Sequence, residues 1–220
     1  MSRLPSQLPG GRHGLPRSFV VRNQRERILA AVADTVAERG YAAMTVEDVV
    51  RLSGVSRRTF YDQFADKRAA FFAAYDAATE QTMVATAEAF LSSTYWPEQV
   101  RLGLQAFLGF LANDFAITRM GFMEIPLAGP EGEARHLAGR TGFEVFLAPG
   151  EAMAAHPIPP MVPKVVGGGI FELAYAHVVR GRTDELPGLL PTCVYHCLAP
   201  YVGLEMAARE AELAKRSLGS

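Results

Sequence analysis

Apolar residues recur along this chain at intervals of three and four, the spacing of one helix face. They hardly anywhere alternate as they would on a half-buried strand. Ile28, Leu29, Val32 and Val36 form the first stripe. Asn23 and Glu26 are spaced as a capping box, so a helix is predicted to start at Asn23 and to end at Gly40. Thr45, followed by Glu47 and Asp48, marks a short helix whose Val46, Val49 and Val50 face inward and which stops near Ser53 and Gly54. Ser56 caps a second short helix, with Phe60 and Phe64 as an i,i+4 core pair. Asp66 caps a long helix, whose buried face runs through Phe71, Phe72, Tyr75 and Met83.

The remainder reads as helix after helix. Pro97 opens one carrying Val100, Leu104, Phe107, Leu108 and Leu111. Others are predicted over 114–127 and 131–147. Four prolines make 156–163 a loop, and two long helices follow at 164–181 and 187–214, the second bent near Pro200. The fold class is all-α. With 49% hydrophobic residues, 13 Phe and 8 Met, the chain fills a core and is not disordered.

Charge changes this picture. The net charge of −1 argues against a polyanion partner, but its distribution reverses that: 12 Lys+Arg face 7 Asp+Glu up to Arg68, against 10 and 16 beyond it. Residues 1–22 hold Gly, Pro and four Arg and read as a flexible basic arm. Such an arm is either a solubilising tail or a minor-groove probe. Cys193 and Cys197 read as buried small hydrophobes. No stretch approaches the roughly 18 apolar residues of a membrane span, and no signal-peptide core is visible, so a cytoplasmic protein is expected. Nucleotide, hydrolase and metalloprotease motifs are absent, so neither an enzyme nor a cofactor is expected.

Residues 45–67, TVEDVVRLSGVSRRTFYDQFADK, place two short helices around a Gly-containing turn, a helix-turn-helix pattern. Its second helix offers Ser56, Arg57, Arg58, Thr59, Tyr61 and Gln63 as polar positions. Such a face suits phosphates and base edges.

From Arg25 to Tyr75 the chain resembles the DNA-binding domain of the TetR (tetracycline-repressor) family, through RERILAAVADTVAERGY and TVEDVVRLSGVSRRTFYDQFADKRAAFF. LLPTCVYHCLAPYVG is similar to the last helix of actinobacterial-type members. The resemblance implies an arm at 1–22, a three-helix DNA-binding domain at 23–68 and a helical effector-binding and dimerisation domain at 69–220. Under it Thr45, Tyr61 and Lys67 meet phosphates, while Ser56, Arg57, Arg58 and Thr59 open the recognition helix. Arg58 and Asp62 depart from common family residues. The favoured reading pairs them at i,i+4, the others aiming Asp62 at a cytosine or away from DNA.

The resemblance further implies a regulator, a repressor released from a palindromic double-stranded operator by a small apolar or amphipathic ligand. The alternative is a helical small-molecule binder or enzyme whose helix-turn-helix unit is structural only. Phe110, Met123, Glu124, Phe171, Glu172, Tyr175 and His177 are the candidate ligand residues, set among other aromatic and Met residues such as Trp96, Phe107, Phe122 and Phe143. A homodimer follows from half-site symmetry, with Val165, Val166, Ile170, Leu173, Val178, Val194, Leu198, Tyr201 and Leu204 offering apolar faces. Intramolecular core is the competing use of those faces.

Overall fold

Pro16 presets the backbone at a helix start, and nothing from Arg17 onward breaks a helix. The first helix, α1 (Arg17–Arg39), therefore begins ahead of Asn23 in this computed structural model, which describes Pro5 and residues 15–219. The capping box expected at Asn23 is not formed, because both residues are already inside the helix and Glu26 pairs with Arg22 at 3.8 Å instead. Of the expected basic arm, residues 17–22 are helical; residues 1–4 and 6–14 lie outside the described residues.

The caps that follow stand where the sequence puts them. Thr45 forms a full capping box with Asp48 at the head of α2 (Val46–Ser53), which ends at Gly54 in the left-handed region at φ 64°. Only glycine holds that conformation without steric cost, and it turns the chain tightly into the next helix. Ser56 Oγ accepts from Thr59 N–H at 3.0 Å over α3 (Arg57–Tyr61), and Asp66 Oδ1 accepts from Ala69 N–H at 2.8 Å over α4 (Lys67–Leu91). Ile28, Val32, Val36, Met44, Val49, Phe60 and Phe71 close the core of this N-terminal unit.

That core does not stop at Arg68. Phe72, Tyr75 and Ala78 of α4 belong to it, as do Ala116, Met120, Ile125 and Ala128 from much later in the chain. A second core gathers Phe90, Trp96, Leu104, Leu108, Phe146, Leu147, Ile170, Leu190, Cys197, Leu198 and Tyr201. The long helix α4 runs from one core into the other.

The C-terminal helices are less regular than their periodicity predicts. After α5 (Trp96–Asn113) the chain bends by 99° into a helical run, capped by Asp114. This run is α-helical over α6 (Phe115–Arg119), π-helical over Met120–Glu124 and 3-10 over Ile125–Ala128. Pro126 lacks an N–H and its ring crowds the carbonyl four residues back, so a regular 114–127 helix is not available. The expected 131–147 helix likewise divides into α7 (Pro130–Thr141) and 3-10 turns over Gly142–Phe146 and Ala148–Met153. The proline loop ends at α8 (Val162–Val179).

The last predicted helix is three pieces: a 3-10 segment over Thr183–Leu189, α9 (Leu190–Val202) and α10 (Leu204–Ser217). The break between α9 and α10 falls at Gly203, φ 81°, rather than at Pro200, which sits within α9. Among the described residues there is no strand, and no single helix is long and apolar enough to cross a membrane.

Candidate DNA-reading face and ligand cavity

The turn from α2 into α3 exposes a polar face while Phe60 and Phe64 anchor it from beneath. Thr45, Ser56, Arg57, Arg58 and Tyr61 are all exposed there, with Thr59, Gln63 and Lys67 half-buried. Arg57 reaches Glu47 at 3.4 Å and passes over the Tyr61 ring at 5.8 Å. An ion pair this exposed contributes little to stability, so Arg57 is available to a partner.

Two of the expected arrangements differ. Arg58 and Asp62 make no ion pair: the helical turn between them is formed, with the Asp62 N–H donating to the Arg58 carbonyl at 2.8 Å, but both side chains are exposed and do not meet. Lys67 Nζ donates to the carbonyls of Tyr41 (3.5 Å), Ala42 (3.2 Å) and Met44 (2.9 Å). An ammonium has three donors, so a phosphate reaching Lys67 would have to displace one of these carbonyls. Lys67 therefore shapes the α1–α2 connection from inside.

Asp48 gathers the other charges of the unit. Its carboxylate accepts from the Thr45 hydroxyl at 2.6 Å and pairs with Arg39 (3.2 Å) and Arg51 (3.4 Å). The Thr45 hydrogen bond is the largest influence and, with the Arg39 and Arg51 guanidiniums, holds the Asp48 carboxyl below its ordinary pKa of 3.8, against desolvation, which is second in size and acts the other way.

Behind the reader lies a largely apolar cavity of about 100 Å³. Its walls come from α4 (Tyr75, Thr79, Met83), α5 (Phe107, Leu111), the irregular run after α5 (Ile117, Thr118, Gly121, Phe122), α7 and its 3-10 extension (Gly139, Arg140, Phe143) and α8 (Gly167, Ile170, Phe171). Of the seven predicted ligand residues, Phe171 alone lines it. Phe110 and Met123 are half-buried outside it, and Glu172 and Tyr175 face outward on α8. His177 Nδ1 bonds within α8 to the Leu173 carbonyl at 2.8 Å. Trp96 is core, its indole N–H donating to the Phe146 carbonyl at 3.0 Å. Phe107, Phe122 and Phe143 are at the cavity as their aromatic content suggested. Arg140, Thr79 and Gly121 carry no signal in the sequence that separates them from surface or packing positions.

Glu124 is buried, but it faces the reader. Its Oε2 accepts from Tyr41 N–H at 2.9 Å, Oε1 lies 3.6 Å from Arg119, and its carboxylate sits beside Gly40. Lys67 holds the carbonyl of the same Tyr41, so this link between α1 and α2 is gripped from both sides. The cysteines are core: burial pushes the Cys193 thiol up to about 12 and Cys197 well above its ordinary value.

Residues 28–74 match the family described as bacterial regulatory proteins, tetR family. That match covers the helix-turn-helix unit, from Ile28 in α1 to Ala74 in α4. Among curated proteins the chain is 25% identical over 107 residues to the HTH-type transcriptional activator FasR of Mycolicibacterium smegmatis. That match covers 48% of the chain and 47% of FasR, so it spans about half the length of the relative. The likeness in fold to solved regulators extends over most of the helical body. A fatty acid degradation regulator, FadR from Bacillus halodurans, superposes with a TM-score of 0.72 at 16% identity, over 80% of this chain and 94% of that one. FadR from Bacillus subtilis, solved in complex with stearoyl-CoA, gives 0.68 at 16% identity, over 79% and 97%.

Proposed function

We propose that this chain is a sequence-specific transcriptional regulator that binds a palindromic operator as a homodimer and releases it when a small apolar or amphipathic ligand fills the cavity. The observation that carries this reading is one segment with two faces. Ile117, Thr118, Gly121 and Phe122 line the cavity, while Ala116, Met120, Ile125 and Ala128 of the same run pack into the reader core. Glu124, between them, holds Tyr41. A ligand that favours a shifted run moves the reader by as much as it discriminates between the two positions, and no more.

On the DNA, Thr45, Ser56, Thr59 and Tyr61 contact phosphates, Arg57 and Arg58 supply charge and base contacts, and Gln63 and Lys67 set the register. Phosphate contacts give most of the affinity and make it salt-sensitive. Two reader helices about 34–36 Å apart require a partner copy. Ile170, Val178, Val194, Leu198 and Tyr201 are buried within the chain, so they do not form the dimer face. Val165, Tyr175 and Val179 of α8 and Leu204 of α10 are exposed and do. FasR is named an activator, which supports a second reading in which ligand changes the sign rather than the fact of operator binding.

Selection of bound duplexes from a random DNA pool tests the proposal. A palindrome is the expected product, and Arg57→Ala or Arg58→Ala should shift which palindrome is recovered. An unenriched pool from folded protein would leave the helix-turn-helix unit structural only.

A further inference from the structure

The fold already occupies most polar groups that line the cavity. Thr82 donates to the Ala78 carbonyl at 2.8 Å, Thr118 to the Leu111 carbonyl at 2.7 Å, and the Tyr75 hydroxyl to the Arg135 carbonyl at 3.3 Å. Arg140 stands apart. It lines the cavity yet is exposed, which puts it where the cavity meets solvent.

The neighbouring arginines are all matched with carboxylates. Arg135, five residues earlier on α7, pairs with Asp76 at 2.9 Å and Glu131 at 2.7 Å. Arg68 pairs with Glu131 at 2.9 Å, and Arg119 with Glu124 at 3.6 Å. No carboxylate among the described residues lies within ion-pair distance of Arg140. Its guanidinium instead lies over the Phe171 ring, 5.4 Å from the centroid, and Phe171 stacks on Phe122 at 4.3 Å. One cavity ring, itself backed by a second, thus holds an unneutralised cation at the mouth of an apolar space.

We propose that the cavity takes an amphipathic anion, its apolar tail among Met83, Phe107, Phe122, Phe143 and Ile170 and its carboxylate or phosphate on Arg140. The forked donors of a guanidinium match both oxyanions, and a desolvated apolar wall on one side strengthens the bond. A neutral apolar ligand would leave this fork unused, and a cationic one would be repelled. The inference rests on the cavity being the effector site.

Calorimetric titration of the full chain with decanoate, decanoyl-CoA and 1-decanol, one tail with different heads, tests it. At least one anion should bind roughly tenfold or more tightly than the alcohol. Arg140→Gln should abolish that preference and leave alcohol binding unchanged, while Arg140→Lys should retain part of it. Binding of decanoate identifies a free carboxylate as sufficient; binding of decanoyl-CoA alone assigns the anion to the phosphates. Equal binding of alcohol and anions, retained preference in Arg140→Gln, or no binding of any probe overturns the proposal. Because Arg140 lies off the reader, Arg140→Gln should still select the wild-type DNA sequence. Loss of ligand preference with DNA selection intact thus separates this inference from the DNA-binding reading.

Discussion

The DNA reader and the helical body behind it hold their shapes by different means. In the reader α2, α3 and α4 each carry their own start signal: Thr45 with Asp48, Ser56 with Thr59 and Asp66 with Ala69 are all bonds across three residues. In the body α5, α7, α8, α9 and α10 have no side-chain cap. Long-range bonds do the equivalent work: Trp96 to the Phe146 carbonyl, and Arg101 to the buried Glu210 at 3.3 Å. The backbone bonding of the body also changes register in the Phe115–Ala128 run beside the cavity. A locally specified unit suits rigid presentation of side chains to DNA. A unit specified by distant contacts, with a space left in it, suits a response to a ligand.

The largest expected effect comes from removing the fully buried ring on α3 itself. Phe60→Ala should cost about 3–5 kcal/mol in denaturant unfolding and abolish operator binding. A loss of DNA binding without loss of stability would mean that the two are not tied through this core.

Breaking the link between the two regions should cost less. Glu124→Ala leaves the Tyr41 N–H without its acceptor, which should destabilise the chain by about 1–3 kcal/mol. Faster hydrogen exchange should be confined to the α1–α2 connection and the run that carries Glu124. Uniformly faster exchange would show that Glu124 supports the whole fold rather than the contact between regions.

A local cap should have the smallest effect. Thr45→Ala should cost about 1 kcal/mol near neutral pH. Asp48 has its folded pKa depressed, chiefly by the Thr45 hydroxyl. Its stabilising contribution is therefore present above the ordinary carboxylate pKa and is lost as pH falls through the folded value. The gap between wild type and Thr45→Ala should accordingly narrow on acidification. A gap that stays constant into strong acid would assign the cap to the backbone bond alone.

Local rules made the reader legible. The caps at Thr45, Ser56 and Asp66, the turn at Gly54 and the Phe60–Phe64 pair each depend on residues within a few positions of one another, so their spacing carries the information. Those rules also misled, at the Arg58–Asp62 pair, which the i,i+4 spacing favoured and which is not formed, and at the start of α1. Asn23 and Glu26 satisfy the capping-box spacing, but Pro16 offers an earlier start with no breaker after it. The cavity was legible only in kind. Aromatic content at 107, 122, 143 and 171 marked its walls, while Glu124 looked like a ligand group for the same reason that it forms the contact to Tyr41, a carboxylate in an apolar stretch.

The sequence by itself determined the all-α class, the three capped helices of the reader and the side chains it presents, because helix periodicity and capping are local physics. Tertiary structure alone decided that the reader core is completed by residues 116–128, that Lys67 turns inward, and that Arg140 is left without a carboxylate at the cavity. Each of these depends on which of several chemically equivalent partners lies within reach once the helices pack. Spacing along the chain carries no record of that distance.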